Sequence, residues 1–170
     1  MTAAPMSVAC LGLGRIGAGI ARSIQNAGYR LVVYNRTPQK TQPLVAAGAT
    51  VARSPREAAA EADVLITCLM DDRSVLDNMT GEDGILAGMR PGAIHIGTST
   101  ITPKASTRLA VMHAAHGSHY VAGPVAGAPA GGTAAQTTAE TAMVRMEAEM
   151  AAVRRALMVM RTPSGGPWKT

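Results

Sequence analysis

The chain has no phenylalanine, and its 170 residues include only three tyrosines and one tryptophan. Its core must therefore be filled by aliphatic side chains and by the flexible thioethers of 11 methionines. The same scarcity excludes a nucleic-acid surface from the expected functions. Only Tyr29, Tyr34, Tyr120 and Trp168 could stack on bases, and the basic residues are scattered along the chain. Long apolar runs are missing, as is a basic N-terminal segment leading into an apolar one, so neither a membrane partner nor a secretory leader is expected. The expected compartment is the cytoplasm. Cysteine is scarce as well. Cys10 and Cys68 fall at the ends of the predicted first and fourth strands and read as buried thiols in a reducing compartment, not as a disulfide.

What is present points to a globular domain with an anionic ligand. Hydrophobic residues make up 47% of the chain, and the net charge is +5. One domain of this length buries about 70% of its unfolded surface. The chain is organised around Cys10-Leu11-Gly12-Leu13-Gly14-Arg15-Ile16-Gly17. Gly12, Gly14 and Gly17 form G-x-G-x-x-G, a weak signal alone but a stronger one in context. Met6 to Leu11 reads as a buried strand, and Ile16 to Ala27 as a helix closed by Gly28. A second strand, Leu31 to Tyr34, completes a dinucleotide-binding unit within about thirty residues. Gly12 permits the tight turn, Gly14 lets backbone approach a pyrophosphate, and Gly17 lets helix pack on strand. The first helical N–H groups, at Leu13 to Gly17, then face the phosphates.

Asn35 follows the second strand, 21 positions after Gly14, where NAD-binding proteins usually carry an acidic residue for the ribose 2′-hydroxyl. Here a carboxylate is missing and Arg36 comes next, with Thr37 and Lys40 as further donors. A carboxylate would repel a 2′-phosphate, whereas Arg36 pairs with it and lies flat on the adenine. One such contact, about 1.5–3 kcal/mol, favours NADP over NAD by roughly ten- to a hundredfold. The expected cofactor is NADP (NADPH).

The remaining pattern is that of a doubly wound α/β fold with a mostly parallel Rossmann sheet. Pro38 to Ala47 reads as a weak helix interrupted by Pro43, and Thr50-Val51 as a short third strand. Ser54-Pro55-Arg56-Glu57 is a capping box, opening a helix that runs to about Ala62. Val64 to Leu69 is the strongest strand, free of charge as a central parallel strand should be. Leu69, Met70 and Ser74 follow it at the carboxyl edge of the sheet, where ligands collect, and are placed beside the cofactor ribose; Asp71 and Asp72 begin the next helix. A loop with a short helical piece spans Gly81 to Gly92, and Ala93 to Ile96 is the fifth strand. Thr98, Ser99 and Thr100 come next, where a nicotinamide would lie, before a helix from Pro103 capped by Thr102 and running to about Ala115. Tyr120-Val121 is the sixth strand. His113, His116 and His119 recur every third residue, two of them near a helix end that favours partly cationic imidazole. His119 lies beyond the helix, so convergence on a metal is not expected.

With Gly123-Pro124-Val125-Ala126-Gly127-Ala128 the set of motifs is complete. Together with Gly12 to Gly17, Asn35-Arg36-Thr37, Asp63 to Met70 and Ser99-Thr100-Ile101-Thr102-Pro103, it resembles the β-hydroxyacid dehydrogenase family. That family includes 3-hydroxyisobutyrate dehydrogenase, tartronate semialdehyde reductase and imine-reductase-like oxidoreductases, and shares the NADP-binding domain of 6-phosphogluconate dehydrogenase. The resemblance covers about residues 6–130. It implies hydride transfer between nicotinamide and a small-molecule substrate: a hydroxyacid, semialdehyde or imine. It also implies that Thr100 approaches the nicotinamide and that Ser99, Gly123, Ala126 and Gly127 line the substrate.

The departures from the family carry expectations of their own. Ala126 stands where the family usually has a serine that holds the substrate, and Ala126 cannot donate a hydrogen bond. The family continues into a helical second domain; residues 134–170 read instead as a helical extension and truncated interdomain segment, after a Rossmann domain over 1–133. Thr137 to Met160 predicts a helix with a seam of Met143, Met146, Met150, Val153, Leu157 and Met160. That seam packs against the sheet or serves self-association as a homodimer. Lys169, four residues after Gly165, matches the family's Gly-x-x-x-Lys in spacing and is the one candidate proton donor; Pro167 and Trp168 depart from the pattern, and without a helix to hold it Lys169 reads rather as a solvated tail residue. The expected activity of the isolated chain is therefore weak or absent, and a non-catalytic NADP-binding module completed by a partner chain is the alternative.

Overall fold

The computed structural model describes residues 6–124. Six short apolar segments become β1 (Ser7–Leu11), β2 (Arg30–Tyr34), β3 (Thr50–Val51), β4 (Val64–Thr67), β5 (Ile94–Gly97) and β6 (His119–Ala122). Between them run α1 (Arg15–Asn26), α2 (Gln42–Ala46), α3 (Pro55–Ala60), α4 (Asp72–Met79), α5 (Ile85–Gly88) and α6 (Pro103–His116). The strands form one sheet in the order β3-β2-β1-β4-β5-β6. Each pairing among them is parallel. The order reverses between β1 and β4, the crevice where doubly wound folds bind dinucleotides.

Alternation along the strands sorts the core into two layers. Val8, Cys10, Val33, Ile66 and Ile96 face Ile20 and Ile24 of α1 and Leu44 of α2. Ala9, Leu11, Val32 and Leu65 face Ala58 and Ala59 of α3, Val75 and Met79 of α4, Ile85 of α5 and Leu109 of α6. Aliphatics, alanine and methionine fill both layers, as the missing phenylalanine requires. Close helix contact replaces bulk in places: a Cβ on Gly88 would lie 2.0 Å from the Arg56 carbonyl oxygen.

Most boundaries match the sequence pattern, and the differences have local causes. Pro43 does not interrupt a helix. A 3-10 turn (Pro38–Thr41) runs directly into α2, where proline occupies the first turn and needs no N–H partner. The Ser54 cap accepts from the Glu57 N–H at 3.1 Å. The return bond goes one residue upstream, from the Arg53 N–H to Glu57 Oε2 at 2.8 Å. Helix α3 stops at Ala60, and β4 stops at Thr67, because Cys68 onward turns out over the glycine loop. Both cysteines are free thiols. No described helix is long and apolar enough to cross a membrane.

The histidines depart most from expectation. His113 is not partly cationic at the end of α6; it is fully buried, as is His95 of β5. A hydrogen-bond chain runs Thr67 Oγ1–His95 Nε2 at 2.8 Å, His95 Nδ1–His113 Nε2 at 2.9 Å and His113 Nδ1–Ser118 Oγ at 2.8 Å. Both ring nitrogens of His113 are engaged, which leaves none for a metal. Burial, reinforced by His116 and His119, pushes His113 down to about 4, and burial beside His113 holds His95 well below the ordinary value. The unfolded chain therefore takes up protons that the native chain declines. The resulting stability is complete above the ordinary imidazole value of 6.5 and is lost as pH falls toward about 4. Urea unfolding between pH 7 and 4.5 should show a decline approaching about 2–3 kcal/mol from His113 alone. A flat profile over that range would contradict a neutral pair.

Candidate dinucleotide site

The register places one line of residues side by side at the carboxyl edge: Tyr34, Leu11, Thr67, Gly97 and Ala122. The next residues in the chain open the loops of the site. Asn35, Gly12, Cys68, Thr98 and Gly123 thus stand together although they lie far apart in sequence.

The three motif glycines differ in what surrounds them. Gly12 has φ +88, and a Cβ there would lie 2.2 Å from the Cys68 carbonyl oxygen. A Cβ on Gly17 would lie 1.9 Å from the Gly12 carbonyl oxygen. Gly14 has nothing within 4 Å and is exposed. Two glycines therefore close the turn and one opens it outward. Helix α1 begins with Arg15, with no side-chain cap at Gly14 and no acidic residue in its first turn. Its free N–H groups and positive end meet the space above Gly14, a cradle shaped and charged for a pyrophosphate. Arg15 is exposed beside it, Ile16 half-buried, and Leu13 buried in the core. Cys68 lies under the loop beside Gly17, and burial pushes its thiol up.

Asn35 braces this loop. Its Oδ1 accepts from the Leu13 N–H at 2.8 Å, and its Nδ2 donates to the Thr37 carbonyl at 3.0 Å. One carboxamide thereby ties the glycine turn to the segment carrying Arg36, Thr37 and Lys40, all exposed. The sequence places Asn35 at the ribose position; its neighbours use its amide for support. Replacement of Asn35 by alanine should weaken nicotinamide-dinucleotide affinity about tenfold while moving Tm by only a few degrees, checked by isothermal titration and thermal melting.

On the other side of the crevice, the Thr98 N–H and hydroxyl both donate to the Thr67 carbonyl at 2.9 Å. Ser99 is buried, and its Oγ accepts from the Leu69 N–H at 2.8 Å. Asp71 caps α4 through the Ser74 N–H at 2.7 Å, and its bonds to Ser74 hold its carboxyl below the ordinary range. Asp72 accepts from the Thr102 N–H at 2.8 Å and from the Thr102 hydroxyl. These bonds fix the loops after β4 and β5 together around an open groove of about 570 Å³ lined by Asp71, Asp72, Arg73, Thr100, Ile101 and Thr102. Thr100 is exposed there, while Met70 projects outward at 90% exposure. The Asp72–Thr102 clamp is not legible in the sequence, since thirty residues separate the partners and Asp72 belongs to no motif. Gly123 joins the edge through its N–H to the Gly97 carbonyl at 2.9 Å. Ala126, Gly127, Lys169 and the methionine seam lie outside the described residues.

A family model for the NAD-binding domain of 6-phosphogluconate dehydrogenase matches residues 7–161. The chain belongs to this family. The 6-phosphogluconate dehydrogenase-type domain is 50% identical over 120 residues to the uncharacterized oxidoreductase YfjR of Bacillus subtilis, covering 71% of this chain and 42% of YfjR. It is 31% identical to the solved 3-hydroxyisobutyrate dehydrogenase of Mycobacterium tuberculosis, with TM-score 0.67, over 73% of this chain and 42% of that one. It is 29% identical to a reductive aminase from Aspergillus terreus in complex with NADPH4, cyclohexanone and allyl amine, with TM-score 0.62, over 74% and 43%. The chain thus spans about two fifths of the length of each of these relatives. The recognised fold and nicotinamide-dinucleotide class agree with the resemblance carried by the sequence motifs.

Proposed function

We propose that this domain binds NADP and serves an oxidoreductase of the β-hydroxyacid dehydrogenase type, acting on a small hydroxyacid, semialdehyde or imine. The observation that carries the reading is the pairing of Gly14, open above an uncapped helix end, with Gly12 and Gly17, closed against backbone. In this reading the N–H groups of Gly14, Arg15 and Ile16 hold the pyrophosphate, with the Arg15 side chain beside it, while the Leu13 N–H stays with Asn35. Arg36 and Thr37 take the 2′-phosphate, and Asn35 keeps the two segments in register. Leu69, Met70 and Ser74 border the ribose. Thr100, with Ser99 and Gly123 behind it, lies toward the nicotinamide. A reduced nicotinamide, when bound, supplies hydride to a carbonyl or imine carbon.

The chain's own described residues orient and exclude; they offer no ready proton donor. Both groove carboxylates are occupied as loop clamps, Asp71 with Ser74 and Asp72 with Thr102. We assign the proton donor and substrate closure to groups outside residues 6–124, with Lys169 as the candidate within this sequence. The alternative, a binding module without chemistry of its own, is favoured by that same lack of a free acid. Isothermal titration of the full chain with NADP+ and NAD+, beside NADPH consumption with glyoxylate, succinic semialdehyde and a cyclic imine, separates the readings. Binding with turnover supports the enzyme, and binding without turnover supports the module. Absence of binding at millimolar dinucleotide overturns both.

A further inference from the structure

The buried imidazole pair lies directly behind the loop assigned above to the nicotinamide side, and no step of the proposed reaction uses it. His95 sits two residues before Gly97, the last residue of β5. Tyr120 packs on both imidazoles, parallel to His113 at 5.7 Å and edge-on to His95 at 5.2 Å. Its hydroxyl also covers Gly97 so closely that a Cβ there would approach to 2.5 Å. From Gly97 the chain enters Thr98, whose two bonds go to the Thr67 carbonyl. The hydroxyl of that same Thr67 ends the histidine chain. Loop and imidazoles thus share two supports, Thr67 and Tyr120.

We propose that the Thr67–His95–His113–Ser118 chain is a positioning element for the Thr98–Thr102 loop, and that a proton taken up by the pair releases that loop. This rests on the dinucleotide reading only for the identity of what the loop serves. With both rings neutral, each His–His and His–hydroxyl contact needs one hydrogen and has one. An added proton, on whichever nitrogen, makes one ring a buried imidazolium whose partners along the chain are a second imidazole and two hydroxyls, with no counter-charge among them. The groups that face the pair make this worse or are neutral. His116 and His119 add like charge in acid. Burial raises the Tyr120 hydroxyl and keeps it neutral. Thr67 and Ser118 offer only hydroxyls. The way to relieve the charge is separation of β5, α6 and β6, which form one margin of the described sheet.

Hydrogen exchange of the full chain, corrected for intrinsic rates, tests this at pH 7.5 and 5. Amides of β5 and β6 should exchange through an opening at least tenfold more frequent than that of β1 and β2, and about thirtyfold more frequent at pH 5 than at 7.5. A His95→Gln, His113→Gln double variant, whose carboxamides bond but do not titrate, should hold that acceleration below threefold. Saturating NADP+ should suppress the acid opening, whereas adenosine 2′,5′-bisphosphate, which lacks the nicotinamide, should not. Uniform protection across the sheet, or an opening indifferent to pH, overturns the proposal without touching the dinucleotide reading. Equal suppression by both ligands overturns its link to the nicotinamide side. Failure of NADP+ to bind at pH 7.5 overturns the dinucleotide reading and leaves the exchange result standing for the wild type.

Discussion

Replacing Gly14 with valine should abolish dinucleotide binding in a protein that still folds, while the same change at Gly17 should damage the fold itself. At Gly14 an added side chain meets no protein atom within 4 Å, and the backbone angles (φ −70, ψ −171) suit any residue. Its Tm should stay within a few degrees of the wild type. The isopropyl group would nevertheless fill the space above the first helical N–H groups, and affinity should fall by about a hundredfold or more. At Gly17 the first added carbon would stand 1.9 Å from a carbonyl oxygen of the turn. That atom is backbone, part of a turn pinned by the Gly12 N–H to the Tyr34 carbonyl at 3.1 Å and by Asn35. Relief requires moving α1 off β1, costing about 3 kcal/mol or more. Melting and titration of the two variants together are decisive. If Gly14→Val retained full affinity, the cradle would not be the pyrophosphate site.

Arg36→Glu should invert cofactor preference. Arg36 is exposed at the end of β2, beside the Asn35 brace and followed by the exposed Thr37 and Lys40. Its substitution disturbs no packing, so stability should be unchanged. A carboxylate there would meet the 2′-phosphate with like charge in place of a charge-assisted pair, lowering NADP+ affinity about a hundredfold. NAD+ carries a 2′-hydroxyl, which a carboxylate accepts, so its affinity should hold or improve. Parallel titrations with the two dinucleotides measure the ratio directly, and an unchanged ratio would remove the NADP assignment.

Much of the architecture was legible before any coordinates, because its signals are local. Apolar runs of four to six residues, glycines after helices and Ser or Asp before them mark elements that need only their neighbours to be recognised. Gly28, Gly48 and Gly117 indeed carry positive φ at the turns that close their helices. Ser54, Asp71 and Thr102 cap theirs. The glycine motif likewise reads out its own chemistry, since backbone approach to a phosphate demands a missing side chain.

The determinations that needed tertiary structure are those in which distant residues share a bond. His95 looked like one residue of an apolar strand, and His113 like a helix-end imidazole. Only the crossover that lays α6 against β5 makes them a buried, neutral pair. Asn35 stands at the expected ribose position, and only the folded chain shows that its amide also spans Leu13 and Thr37. Asp72 resembled an ordinary first-turn acid until Thr102 came to meet it. The sequence by itself determined the doubly wound order of elements and the phosphate-binding turn, because both follow from short-range periodicity and from glycine's lack of a side chain. Tertiary structure alone decided which polar groups are consumed inside the protein and which remain for a ligand, because that depends on partners brought together by the sheet.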